Sequence, residues 1–547
     1  MRSRIMRSVL ISVLGAGGFA ACASTDPSGG TGTGGSDNST GAAGTSGGAG
    51  TVGAAGTNGS GGTTGLGGAA GTAGDGGGTT GTGGATGTGG ATGTGGMSGT
   101  TGAAGSTGRG GSTGRGGSSG GAGATGGGGA AGRGGATAGA GGSAAGRGGS
   151  GGTASGGSGG APGTPSGEDD GADCTVAGLP DSGSLPTNAK FPDPFKKLDG
   201  SRVSSKAEWR CRREEIRKLA EKFAYGTKPP KPEMVTGTVS KTTITVKVTD
   251  NGKTTMFSAG IVPPTSGSAP YPAIIILGGA AFGAPLDSGV INSEGVARIN
   301  YDQYVVGKEG TGRTNKQGAF YDLYGTTSTT GLLMAWSWGV SRIIDVIEQS
   351  DGSVIKADAI GVTGCSRLGK GAFTAGVFDQ RIALTMPIEA GTGGQASWRG
   401  IATYGGQSLS SAYTEQPWFG DAFTAFTSSP TKAPLDTHEL VAMIAPRGLY
   451  VMDNPYMTSL GAKPSHAASL VGAEVYRALG AGDNISYVSD VAGSAHCSQR
   501  PEWVAPLKSN IERFLKKTGT DPGVFKVSTR ATSSLSEWSD WTTPTLN

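Results

Sequence analysis

Four residues of this chain have the chemistry to move an acyl group: Ser366 in "AIGVTGCSRLGKGAF", His496 in "SDVAGSAHC", Glu389 in "PIEAGTGG" and Asp453 in "GLYVMDN". A serine hydroxyl becomes a nucleophile when a base removes its proton and a third group orients that base. Ala359, Ile360, Val362 and Thr363 read as a short buried strand, Gly364 ends it, and "RLGKGAFTAGVF" resumes with helical spacing. A serine at such a corner is pushed outward, as in a nucleophile elbow, where the next N–H also helps to form an oxyanion hole. The match to G-x-S-x-G is imperfect. Leu368 stands where the second glycine belongs, and Gly369 comes one residue late. Taken alone, the motif also fits an ordinary Gly/Ser turn.

The base must be one of three histidines. His496 follows the last expected strand in a short loop and completes the order serine, acid, histidine. His438, in "PLDTHELVAMIAPRG", reads as a packing residue at a helix start, and His466, in "KPSHAASL", as an early residue of another helix. The acid stays open between Glu389, which ends the strand after the serine's helix, and Asp453, which ends the next one. Either can reach the imidazole, and spacing does not decide. No metal-ligand spacing such as C-x-x-C or H-E-x-x-H occurs, and neither a metal nor another cofactor is expected.

These residues need a frame. "YPAIIILGG" is a continuous apolar run of the kind found in strands covered on both faces. "GLLMAWSWGVSRIIDVIEQ" reads as a long amphipathic helix. "AIGVTGCS", "ALTMPIEAG", "GLYVMDN" and "ISYVSDVAGSAHC" are further short strands with polar or charged residues at their ends. Strands alternating with helices imply a mainly parallel sheet in an αβα sandwich, whose chemistry gathers beyond the carboxyl ends of the strands. Earlier, "SKAEWRCRREEIRKLAEKFAYG" reads as a helix stopped by Gly226, and Asn251-Gly252 as a hairpin turn.

Residues 168–547 are enough for one such domain. Most of the chain's 110 glycines lie before it. Residues 23–167, nearly all Gly, Thr, Ala and Ser, bury too little apolar surface to offset ordering and are expected to be a flexible linker. Its root-mean-square reach is on the order of 60 to 70 Å. Arg109, Arg115, Arg133 and Arg147 are sparse and lack interleaved aromatics, so nucleic acid is not an expected partner. Residues 1–22, "MRSRIMRSVLISVLGAGGFAAC", have the layout of a secretory signal, and "FAAC" resembles a bacterial lipoprotein box that would make Cys22 a lipid anchor. A secreted or outer-membrane-anchored monomer is the expectation. Export favours disulfides, and the remaining cysteines, Cys174, Cys211, Cys365 and Cys497, allow three pairings. A Cys365–Cys497 bridge would bind the turn of Ser366 to the loop of His496, and Cys174–Cys211 would close the start of the domain.

"GCSRLGKGA" resembles the signature of the glucuronoyl esterases, carbohydrate esterase family 15. "FPDPFKKLDGSRVSSKAEWRCRREEI", "LLMAWSWGVSRIID" and "AHC" extend the resemblance over roughly Cys174 to Thr518. It implies an α/β-hydrolase fold and hydrolysis of (4-O-methyl-)glucuronic acid esters that join glucuronoxylan to lignin alcohols. It further implies Ser366 as nucleophile, His496 as base, Glu389 as acid with Asp453 as second choice, and Arg367 as support for the oxyanion. Lys370, Gln407 and Glu415 match positions that hydrogen-bond the uronic acid. Trp418, beside Glu415, reads either as a sugar platform or, like Trp398, as packing. A family tryptophan is replaced by Ser459 in "DNPYMTSLG". Acetylated xylan or a small aryl ester as substrate, and a non-catalytic tethered carbohydrate binder, are the alternative readings.

Overall fold

The computed structural model describes residues 167–279 and 286–547, together with three short strands in the Gly-rich tract. Those three, Ala55–Asn58, Ser60–Thr64 and Gly68–Ala69, form a small antiparallel sheet. The signal and lipid-anchor readings at 1–22, and the rest of the linker, lie outside the described residues.

The large unit is built on ten strands: β1 Met234–Val239, β2 Thr243–Asp250, β3 Lys253–Val262, β4 Tyr271–Leu277, β5 Ala297–Tyr301, β6 Ile355–Cys365, β7 Leu384–Ile388, β8 Gly448–Met452, β9 Ile485–Val488 and β10 Phe525–Lys526. They lie in the order β10-β9-β8-β7-β6-β4-β5-β3-β2-β1. From β10 to β5 all neighbours are parallel, while β3 joins β5 antiparallel and β1–β3 form an antiparallel edge. Asn251 and Gly252, both at positive φ, close the β2–β3 hairpin.

The apolar run of β4 has the cause expected of it. Ala273, Ile275 and Leu277 enter one core, Ile274 and Ile276 the other. The first core is covered by α2 (Leu332–Gln349) and α3 (Arg367–Phe378), the second by Trp503 and Leu507 of α4 (Pro501–Asn510). This is the αβα sandwich. The helix α2 has the expected polar side, at Ser341, Arg342 and Asp345, but that side is covered too, because every residue from Leu332 to Ile347 is buried. Between the sheet and the elements outside it, the helix meets solvent at its last turn, at Glu348 and Gln349. The C-terminal tail packs as well, with Trp538 stacked on Phe191 at 4.6 Å between ring centres.

The start of the domain is pinned by charge and sulfur. Cys174 is bonded to Cys211 in α1 (Lys206–Ala220). Glu168 accepts from Lys228 Nζ at 2.8 Å and from Arg342, and lies 3.6 Å from Arg381. Burial alone would raise its carboxyl; the three cations outweigh that and hold it far below the usual carboxylate range. The folded value thus lies below the unfolded one of about 4.3, so the ion pairs stabilise the fold above that pH and the contribution is lost as pH falls. Glu168→Gln takes the carboxylate from buried Lys228, while Arg342 and Arg381 keep Asp345 and Asp379, and is expected to cost about 3 to 5 kcal/mol near neutrality. Urea unfolding should show that deficit shrink on acidification; an equal deficit near pH 7 and about pH 3 would contradict the ion-pair account.

Candidate active site

Ser366 sits between β6 and α3 with φ 58° and ψ −126°, a strained conformation for a residue with a side chain. Three of the five non-glycine residues with positive φ among the described residues, Ser366, Glu389 and Cys497, meet in this one place. The displaced glycine of the motif has a steric reason. A Cβ on Gly369 would lie 2.7 Å from the carbonyl oxygen of Ile388, and one on Gly364 would lie 2.5 Å from that of Leu368. The close approach therefore falls at position 369, where the first turn of α3 crosses the end of β7, and Leu368 is free to be a buried apolar side chain.

Backbone hydrogen bonds tie the strand ends together. Ser366 N donates to Ile388 O at 2.9 Å, Glu389 N to Met452 O at 2.7 Å, and Asp453 N to Val488 O at 3.0 Å. At this edge His496 Nδ1 lies 2.6 Å from Glu389 Oε2, which also accepts from Cys497 N at 2.9 Å. Glu389 is fully buried and the imidazole partly exposed. Cys365 and Cys497, the chain neighbours of Ser366 and His496, are joined in a disulfide that closes a span of 132 residues. Cys365, Glu389, His496 and Cys497 bring their ligand atoms within 4.8 Å of one another. The two sulfurs are bonded to each other, so the group lacks the thiolates a metal would need.

Asp453 stands elsewhere. Its oxygens accept from Ser465 Oγ and, at 3.3 Å, from Gln395 Nε2, and burial first, with the charge of Glu389 adding to it, raises its carboxyl to about 7. The carboxylate on the imidazole is Glu389, while Asp453, the alternative acid, is engaged by Ser465 and Gln395. The other histidines are interior. His438 Nε2 lies 2.8 Å from Pro192 O with its ring on Phe191, and His466 Nδ1 accepts from Ser533 N at 3.1 Å. Burial lowers both to about 4, so each stays neutral near pH 7.

Around the turn the polar residues form one network. Arg367 Nη1 donates to Glu309 at 2.9 Å and Nη2 to Glu415 at 3.2 Å. Gln407 Nε2 donates to Glu415 at 2.6 Å, and Gln407 N to Ser459 O at 2.8 Å. Lys370 is buried, donates to Ala390 O at 2.7 Å, and lies 5.1 Å from the ring centre of Trp418. Trp418 is buried and donates Nε1 to Glu309 at 2.5 Å. Trp398 packs against Phe423. Glu309 is the residue that sequence reasoning missed: it accepts from Arg367, Trp418 and, at 3.1 Å, the Tyr304 hydroxyl. The only signal was a carboxylate in a glycine-rich loop, "GKEGTGR". The loop "LGGAAFG", a further candidate source of an oxyanion donor, runs into residues 280–285, which lie outside the described residues.

Residues 246–480 match the family described as fungal glucuronyl esterase. The chain is 38% identical over 379 residues to the 4-O-methyl-glucuronoyl methylesterase of Hypocrea jecorina, covering 68% of this chain and 80% of that protein. It is 39% identical over 383 residues to that of Podospora anserina, covering 68% and 78%. Among solved structures, the glucuronoyl esterase catalytic domain from Hypocrea jecorina superposes with a TM-score of 0.62 at 38% identity, over 68% of this chain and all of that one. A serine-to-alanine mutant of the Sporotrichum thermophile glucuronoyl esterase, in complex with methyl 4-O-methyl-β-D-glucopyranuronate, gives 0.61 at 37% identity with 68% and 100% covered.

Proposed function

The chain belongs to the glucuronoyl esterase family, and from that premise we propose that it hydrolyses esters of (4-O-methyl-)D-glucuronic acid, the bonds joining glucuronoxylan to lignin alcohols, through an acyl-enzyme on Ser366. The observation that carries the reading is the pairing of His496 Nδ1 with buried Glu389 beside a disulfide that binds this loop to the serine's turn.

With Nδ1–H donated to Glu389, the neutral imidazole offers Nε2 as the base. It takes the hydroxyl proton as Ser366 Oγ attacks the uronoyl carbonyl. The tetrahedral oxyanion is met by the N–H of Arg367, the first residue of α3, where backbone N–H groups point out of the helix end. The guanidinium of Arg367 is held by Glu309 and Glu415, so it acts on the oxyanion through its field and orients those carboxylates toward sugar hydroxyls. His496 then protonates the departing alcohol, and water attacks the acyl-enzyme under the same base, releasing the uronate. Lys370, Gln407 and Glu415 are assigned to the sugar, and Trp418 supports them from behind. Export with a lipid anchor at Cys22 and action as a monomer belong to the same proposal, supported by the two disulfides for the export alone.

The test is a rate series on methyl glucuronate, methyl galacturonate and an aryl acetate. A network of fixed donors and acceptors should favour the glucuronate by about tenfold or more in kcat/KM, since a misplaced hydroxyl leaves a buried partner unsatisfied. Equal rates on the acetate would return the assignment to a general carbohydrate esterase.

A further inference from the structure

The loop that carries His496, residues 489–500, contains neither helix nor strand, and most of it is at least partly exposed. An imidazole that must face one hydroxyl needs this loop held. Besides the disulfide, the loop is held by the bond from Cys497 N to Glu389, by Asn454 Nδ2 to Ala495 O at 3.4 Å, by Ser489 N and Asp490 N to Lys526 O, by Gln499 Nε2 to Leu286 O at 3.0 Å, and by the side chain of Arg500. Arg500 is buried at the start of α4. Its Nη1 donates to Ala492 O at 2.5 Å and its Nη2 to Ala495 O at 2.6 Å, clasping the loop on both sides of Gly493. The guanidinium lies 5.4 Å from the ring centre of Trp503. The same Nη2 is 3.7 Å from Glu389 Oε1, the buried carboxylate oxygen that faces away from the imidazole and has no hydrogen-bond partner.

We infer that Arg500 is a positioning residue for the hydrolysis: it fixes the loop so that His496 faces Ser366, and it supplies the buried counter-charge behind Glu389. Two physical needs meet in one side chain. The fork reaches two carbonyls three residues apart, which the single ammonium of a lysine does not do with fixed geometry. A fully buried carboxylate pays for its ionised state in lost hydration unless a cation stands near it. The charged and titratable groups facing the Glu389–His496 pair are Arg500 and Asp453, with Lys370 bonded to the carbonyl of the adjacent Ala390. Arg500 brings its charge to 3.7 Å from the carboxylate.

The inference rests on the proposed triad, and the experiment separates the two. Steady-state hydrolysis of methyl glucuronate is followed across pH for the full chain, Arg500→Gln, Arg500→Lys and Ser366→Ala. Arg500→Gln should lose about tenfold to a hundredfold in kcat, the size expected for a misplaced catalytic group, with KM changed by less than about twofold. Losing a positive charge beside the pair favours the imidazolium, so the acid limb of kcat/KM should move to higher pH. Arg500→Lys keeps the charge, so its limb should stay in place while kcat still falls several-fold. Wild-type kcat in either variant, or an unmoved limb in Arg500→Gln, overturns the inference. Should Arg500→Gln fail to fold by circular dichroism, the kcat of Arg500→Lys decides. An active Ser366→Ala would instead overturn the triad.

Discussion

Replacing Ser366 with alanine is expected to abolish hydrolysis of glucuronate esters while leaving the fold intact. The hydroxyl oxygen is the atom that forms the new bond, so its removal leaves only substrate binding and oxyanion stabilisation. In a coupled serine triad such a loss costs roughly 10⁵- to 10⁶-fold in kcat. Stability should move little. Both residues bear a Cβ at φ 58°, the backbone N–H bond to Ile388 survives, and the disulfide beside the turn is untouched. The measurement is kcat on benzyl glucuronate with the midpoint of thermal unfolding as control. A folded variant turning over at the wild-type rate would remove Ser366 from the chemistry. Covalent labelling of the wild type by a fluorophosphonate, absent in the variant, checks the same point without a substrate and excludes a purely sugar-binding protein.

What could be read beforehand followed from local rules. A strand, a glycine, a serine and a helix are contiguous, so the turn at Ser366 is visible in the sequence, and the parallel core follows from apolar runs such as "AIIIL". His496 was separable from His438 and His466 because it lies in a loop after a strand while they lie in helices. The displaced Gly369 was visible as a departure from the pattern, but its reason lies in the carbonyl of Ile388 on another strand. Glu309 and Arg500 were invisible for a related cause. Each works through partners that folding brings together, Arg367 58 residues from the one and Glu389 at the site of the other, and neither loop has a periodicity that marks it. The two-residue strand β10 and the reversal of direction at β3 belong to the same class, since edge pairing depends on register rather than on composition.

The choice between the two carboxylates gives the second large effect. Glu389→Gln is nearly isosteric, and its amide can still accept at the oxygen, but it can equally present its NH₂ group to Nδ1 and favour the tautomer with the proton on Nε2. That tautomer cannot take the proton of Ser366. The imidazolium formed during attack would also lack its buried counter-charge. An expected loss of about 10⁴-fold in kcat follows, the size seen when a triad acid becomes an amide. Asp453→Asn should lose less than about tenfold, because Asp453 meets Ser465 and Gln395 and not the imidazole. Its neighbourhood predicts a pH signature too. Burial holds Asp453 near 7, so its protonation changes close to neutrality, beside a Glu389 that stays on the imidazole. The aspartate's ionisation would then perturb kcat weakly around that pH in the wild type, and the asparagine variant should lack the inflection. Comparable losses in both variants, or a larger one in Asp453→Asn, would transfer the orienting role to the later carboxylate and contradict the 2.6 Å contact on which the present assignment stands.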